Sequence, residues 1–338
     1  MSTRFGEPAL RAAAIAVLLP AAGAISAQTP AQVQRQHYAM GTMFAIVVCH
    51  ASAAAAERAA LAALDEVVRL DGVLSHYKEQ SDLSRLNREG RRGFVAVEPG
   101  LYEVVERSLD VSRRSGGRFD VTIAPLLRVW RAAFEAGREP SAEEVARARR
   151  CVGYQHVEIE PPDRIRFRSD CLELDLGGIG KGYAVDRAIG VLRAAGVRDA
   201  VVNAGGSTIG AMGTRPGGDG WPVGLGGDEA GQRVLWLRDE AVSTSQQHVR
   251  RLPFGPGAFG EIIDPRRAAP LPHEDVVSVI APSATTADAL STTLLLMPAQ
   301  DGKAVLAQFP RAAALWMTPA GRVADTFRSS RLRLAHAE

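Results

Sequence analysis

Residues 174–183 read Leu-Asp-Leu-Gly-Gly-Ile-Gly-Lys-Gly-Tyr, a β-prone end, a glycine-dense turn and a helix start in ten positions. Such a turn lets the backbone approach a ligand closely, and the unpaired N–H groups of a helix start favour phosphate. It also dictates what must surround it. A hairpin pattern over 157–176 leads in, a helical pattern over 183–195 leads out, and a strand over 200–203 enters a second glycine turn, Ala204-Gly205-Gly206-Ser207. Further strand-like runs fall at 221–225, 234–237, 241–244, 276–280 and 313–317, with a helix over 286–297. The first half adds a strand from Tyr38 through Val48, a helix over 53–70 behind the N-cap Ser52, and a polar loop over 75–92. A second helix over 101–114 stops at Gly116-Gly117, and the capping box Ser141-Ala142-Glu143-Glu144 opens a short third one. Strands joined by hairpins, with helices in pairs between them, predict an α+β fold with antiparallel sheets rather than a doubly wound parallel one.

The N-terminus has a different character. Arg4 and Arg11 precede the apolar run 12–19, and small residues through Ala27 follow, which is the pattern of a secretory leader. The run is too short for a membrane span, which needs ~20 apolar residues. We expect 1–27 to be a signal peptide, 28–36 a linker, 37–330 the working domain and 331–338 a tail. The product is then a soluble periplasmic protein. No cysteine near the cleavage region offers a lipid anchor. Cys49, Cys151 and Cys171 allow one disulfide at most; Cys151 and Cys171 bracket the predicted hairpin, and buried unpaired thiols are the alternative. Forty Lys and Arg against 38 Asp and Glu leave a net charge of +2, so no global field draws the chain to nucleic acid.

Chemistry-bearing segments are few. The 174–183 turn is not a P-loop, because Asp175 and Gly182 stand where Gly and Ser or Thr are needed, and Tyr183 breaks a dinucleotide fingerprint. Asp288 and Thr292 are four residues apart on a predicted helix, so their oxygens share a face that can serve a hard cation. Ser75-His76-Tyr77-Lys78 matches an SxxK motif, but no SDN or KTG follows. Two further segments, 117–126 and Glu261-Ile262-Ile263-Asp264-Pro265-Arg266, combine apolar residues with isolated acids.

In order, these stretches resemble the ApbE family of FAD:protein FMN transferases. The match runs through Met40-Gly41-Thr42, Ser75-His76-Tyr77, 81–87, 117–126 with Trp130, 174–186, 203–206, Val242-Ser243-Thr244-Ser245, 262–265 and 281–292. The resemblance implies a two-lobed, T-fold-like α+β architecture holding FAD as substrate and Mg²⁺ at its pyrophosphate. It implies transfer of FMN to a Thr or Ser of an acceptor flavoprotein, with release of AMP; that acceptor can be a membrane-bound redox subunit. It assigns FAD contacts to Met40, Tyr77, Arg118, Phe119, Asp120, Asp175, Lys181 and Ile263. Mg²⁺ falls to the Gly180 carbonyl, Asp288 and Thr292, and catalysis to Glu261, Lys181 and Asp264. Glu261 stands where the family usually has histidine, Ser207 replaces an Asp, Gln246 a Gly, and Arg267-Ala268 a Thr-Gly pair. Two other outcomes follow if that histidine is indispensable: an FAD pyrophosphatase releasing FMN and AMP, or a non-catalytic FAD-binding protein.

Overall fold

The computed structural model describes residues 30–225, 233–247, 250–251, 258–320, 322–328, 332 and 334–336. The predicted leader, 1–27, lies outside them. The chain opens with the hairpin β1 (Ala31–Ala39) and β2 (Thr42–His50), then α1 (Ala53–Leu74), α2 (Asp82–Glu89), β3 (Val95–Ala96) and α3 (Pro99–Arg114). Next come α4 (Ala124–Glu135), α5 (Ala142–Arg149), the hairpin β4 (Val157–Glu160) and β5 (Arg164–Phe167), and α6 (Gly180–Ala194). Strands β6 (Asp199–Ala204), β7 (Thr208–Met212), β8 (Trp221–Leu225), β9 (Arg233–Leu237) and β10 (Ala241–Gln246) follow. Four two-residue strands, β11 (Arg250–Arg251), β12 (Ala258–Phe259), β13 (Ile263–Asp264) and β14 (Ala269–Pro270), precede β15 (Val276–Ala281). The rest is α7 (Ala284–Leu295), α8 (Ala299–Ala307), β16 (Ala313–Met317), β17 (Val323–Phe327) and β18 (Leu334–His336).

One eight-stranded sheet, in the order β1-β2-β6-β7-β10-β15-β16-β17, carries the molecule, and every neighbouring pair in it is antiparallel. Period-2 alternation gives it two apolar faces. Val277 and Val279 of β15, with Ala314 and Trp316 of β16, join the large core under the helices. Their neighbours Val276, Ile280, Leu315 and Met317 face a second core, closed by β8 and β9 through Trp221, Val223, Leu225, Leu235 and Leu237. On the first face α1 packs on α6, α6 on α7, and α7 on β10 and β15. The buried stripe of α1, with alanines at 56, 59, 60 and 63, has the spacing and small size that let a helix lie close to its neighbour. A third, smaller core joins Leu126 of α4 and Ala148 of α5 to Ile263 and Ala268. The α+β, antiparallel expectation holds.

Three expectations need correction. Residues 31–36 are not linker but the first part of β1, registered against β2 from Ala31↔His50 to Ala39↔Thr42. As an edge strand it is mostly exposed, so its polar residues cost nothing there. The tail contains β18, which pairs with β9. The polar 75–92 stretch contains α2, started by the Ser81 hydroxyl on the Ser84 N–H and anchored by the buried Leu83 and Leu86.

Cys151 and Cys171 form a disulfide, and Cys49 is buried and free. The bridge closes a loop of 20 residues. By loop-closure entropy it constrains the unfolded chain by about 3 kcal/mol. Cys151→Ser with Cys171→Ser is therefore expected to lower the unfolding free energy by that amount in urea titrations, and reductant should do the same to the wild type. An unchanged midpoint would assign the bridge no role in stability.

Candidate functional site

A cleft of about 880 Å³ opens where the glycine turn before α6, the β1–β2 tip, the end of β10 and the 261–265 segment meet. Its volume is at the upper end of the roughly 300–1,000 Å³ typical of small-molecule pockets. Met40, Tyr77, Arg118, Phe119, Asp120, Asp175, Gly180, Lys181, Glu261, Ile263, Asp288 and Thr292 all line it. The sequence reading thus names twelve wall residues scattered over 250 positions. Asp264 alone is off the wall: its buried carboxylate accepts the N–H groups of Arg266 (2.8 Å) and Arg267 (3.4 Å) and lies 3.9 Å from Arg118. It holds the turn that presents its neighbours.

The floor is built by α6 and α7. Helix α6 begins at Gly180, and its N-cap residue Ile179 makes no side-chain cap; the Gly180 N–H is taken by the Leu176 carbonyl at 2.7 Å. Gly182 is obligatory there, because a Cβ would sit 2.3 Å from the Ala284 carbonyl oxygen and 2.7 Å from the Asp288 Cβ. Its N–H instead donates to Asp288 Oδ2 at 2.8 Å. The other carboxylate oxygen accepts from Ser243 Oγ (3.2 Å) and Thr208 Oγ1 (3.4 Å). Asp288 is 3% exposed, and every donor on it is neutral. A buried carboxylate without a cation is costly. Ser245 extends the oxygen-rich patch, touching Ser291 (2.8 Å) and Thr292 Oγ1 (3.3 Å). Among the described residues no cluster of three His, Cys, Asp or Glu exists. A lone carboxylate among hydroxyls suits a hard ion that keeps water or phosphate for its remaining positions, so the donor set fits Mg²⁺.

Lys181 makes one long hydrogen bond, 3.4 Å to the Gly177 carbonyl, and no ion pair within 4 Å among the described residues. On one wall Asp175 accepts the Gly177 N–H (2.7 Å) and faces His76 Nδ1 (3.1 Å). Asp120 is fastened by the Thr122 amide and hydroxyl and by the Tyr154 amide (3.0 Å). Burial pushes its carboxyl above the ordinary value, and these hydrogen bonds oppose that shift. Phe119 packs where a Cβ on Gly178 would come within 3.0 Å of its ring. At the mouth Tyr77 is 70% exposed and its ring meets that of His76 at a tilt of 39°.

Three contributors have no role assigned from the sequence, although Asn87 lies in the matched stretch 81–87. Asn87 of α2 pairs both ways with Leu174, pinning the irregular segment after β5 that enters the glycine turn. Arg131 of α4 reaches Tyr77 Oη (3.3 Å) and lies 4.0 Å from Glu261, which is itself 69% exposed. Gln247, 1% exposed, borders the cleft beside Ile262. Each is a lone polar residue whose partner is distant in sequence, so neither periodicity nor spacing marks it.

A family model described as the ApbE family matches residues 40–316. A FAD:protein FMN transferase of Treponema pallidum is 30% identical over 286 residues, 78% of either chain. The crystal structure of the Pseudomonas stutzeri flavinyl transferase ApbE superposes with a TM-score of 0.76 at 28% identity, covering 88% of this chain and 95% of that one. The flavin transferase ApbE from Vibrio cholerae, in a mutant form, gives 0.75 at 27% identity over 89% and 98%. With this match spanning the cleft and both helices beneath it, the chain belongs to the ApbE family.

Proposed function

We propose that the chain is an exported, Mg²⁺-dependent FAD:protein FMN transferase that esterifies a Thr or Ser hydroxyl of an acceptor flavoprotein and releases AMP. The observation that carries this reading is the buried carboxylate of Asp288, which has no protein cation on it among the described residues and meets the first turn of α6 at the floor of a dinucleotide-sized cleft. Asp288, Thr292 and the Gly180 carbonyl are the residues that would hold Mg²⁺. The ion supplies charge neutralisation at the pyrophosphate.

The chain's own residues do the rest. Lys181 and the helix N-terminus offer positive charge to the phosphates. Met40, Phe119, Asp120, Asp175, Arg118 and Ile263 line the walls that orient the flavin and adenosine ends. The acceptor oxygen attacks the FMN phosphorus, the phosphoanhydride bond breaks, and AMP leaves with the bridging oxygen. The hydroxyl proton goes to the Glu261 carboxylate at the open mouth, where an acceptor protein can approach. Asp264 and Arg266 hold the turn rather than react.

Export is supported by the N-terminal pattern and by the Cys151–Cys171 bridge, a pairing suited to an oxidising compartment. Among the described residues no helix is long and apolar enough to cross a membrane.

The test is incubation of the mature protein with FAD, Mg²⁺ and a Thr-bearing acceptor domain, read by intact mass. Gain of one FMN on the acceptor supports transfer; free FMN and AMP indicate hydrolysis, and unchanged bound FAD a binding role. Glu261→Gln is expected to slow transfer ~10²-fold, the contribution of a general base, with FAD affinity unchanged. Glu261→His should retain transfer and move the acidic limb of the pH–rate profile towards ~6.5. Transfer by Glu261→Gln at the wild-type rate would remove Glu261 from the mechanism.

A further inference from the structure

We infer that Gln247 is a positioning residue for Glu261, acting as a peptide-like clamp on Ile262; the inference rests on the transferase reading above. Gln247 is 1% exposed, directly after β10. Its Oε1 accepts the Ile262 N–H at 3.0 Å and its Nε2 donates to the Ile262 carbonyl at 3.1 Å. One side-chain amide therefore satisfies both backbone groups of the residue between Glu261 and Ile263, as a neighbouring strand would. The chain around it accommodates the clamp: a Cβ on Gly260 would lie 2.0 Å from Gln247 Nε2.

Glu261 has little else to fix it. Its side chain is 69% exposed, and the ion pair with Arg131 is long at 4.0 Å. The Ile262 carbonyl also accepts the Leu271 N–H at 3.1 Å and Ile263 pairs with Pro270, so β14 and its flank hold the far side of the segment while the Gln247 amide, which alone engages the Ile262 N–H, fixes its near side under the carboxylate. Two residues earlier, Ser245 touches Ser291 and Thr292 on α7. The end of β10 thus grips the cation-site helix through one side chain and the base-bearing segment through another. That places the proton acceptor and the phosphate-binding floor in one frame, and reactive geometry of this kind is sensitive to shifts of about 1 Å, worth up to ~10²-fold in rate.

Gln247→Met keeps the volume and removes both hydrogen bonds. Amide exchange at Ile262 should accelerate roughly tenfold, FAD affinity should stay within about threefold, and kcat for FMN transfer should fall roughly tenfold or more. In a Glu261→Gln background the same change should cost less than about twofold, because the clamp acts through that carboxylate. Gly260→Ala, which displaces the amide without removing it, should reproduce the effect if Gln247→Met fails to fold. Unchanged exchange at Ile262 overturns the clamp. An equal loss in both backgrounds, or a parallel loss of FAD binding, overturns its link to Glu261. A wild-type protein that binds FAD and transfers nothing overturns the transferase reading instead, while the exchange arm still reports on Gln247.

Discussion

Asp288→Asn is expected to abolish FMN transfer while leaving the protein folded. The substitution keeps shape and removes charge. The carboxylate accepts one backbone amide and two hydroxyls and has no protein cation on it among the described residues. An asparagine can retain the Gly182 bond through its oxygen, and the hydroxyls of Ser243 and Thr208 can rotate to accept from its nitrogen. The structural cost is thus the order of one hydrogen bond, about 1 kcal/mol. The chemical cost is larger: without the negative charge the site loses its hold on a divalent ion, whose stabilisation of phosphoryl-transfer charge is worth several kcal/mol, or ~10³-fold in rate. Chelation of the wild type with EDTA should produce the same loss, and EDTA should do nothing further to the variant. Both are read as acceptor mass gain per unit time, with urea titration confirming the fold. Residual transfer within tenfold of wild type, insensitive to EDTA, would remove the metal from the mechanism and Asp288 from its site.

Legibility of this site in the sequence was uneven for physical reasons. The glycine turn and the Asp288–Thr292 pair were readable because backbone proximity demands glycine and helical spacing fixes a shared face. The fold class was readable because the alternation in β15 and β16 feeds two cores on opposite faces of one sheet. By contrast, β1 hides at an edge, where polar residues carry no penalty and the period-2 pattern fades. Helix α2 is eight residues long, and only Leu83 and Leu86 are buried, too few to give a period. Helix α4, unassigned from the sequence, places Trp130 so that its indole N–H donates to the Ala268 carbonyl, and places Arg131 at the mouth. Asp264 reads as catalytic beside Glu261, yet the local turn it caps claims both of its best hydrogen bonds. A carboxylate that secures its own loop and one that meets substrate look alike until the backbone N–H groups around them are placed.

Gly182→Ala is expected to damage stability and activity together. The added methyl meets two groups that cannot step aside, the Ala284 carbonyl oxygen at 2.3 Å and the Asp288 Cβ at 2.7 Å. Helices α6 and α7 must then separate, at the about 3 kcal/mol that overpacking of a fixed contact costs. The separation also strains the Gly182 N–H bond to Asp288 and the bonds that the Ala284 and Thr285 amides donate to the Asp186 carboxylate, 2.7 and 2.8 Å. Asp288 thereby loses the donor that aims it into the cleft, so transfer should fall roughly 10²-fold even under conditions where the variant is fully folded. Gly190→Ala, on the same helix with nothing within 4 Å of the new methyl, isolates the packing effect. There alanine only improves helix propensity, and stability should rise by about 0.5–1 kcal/mol with transfer unchanged. Urea midpoints and transfer rates of the two variants decide the matter. If Gly182→Ala lowers stability but transfers FMN at the wild-type rate, the α6–α7 contact is structural only. If both measures fall while Gly190→Ala rises, the same close approach that holds the two helices together also holds the carboxylate in place.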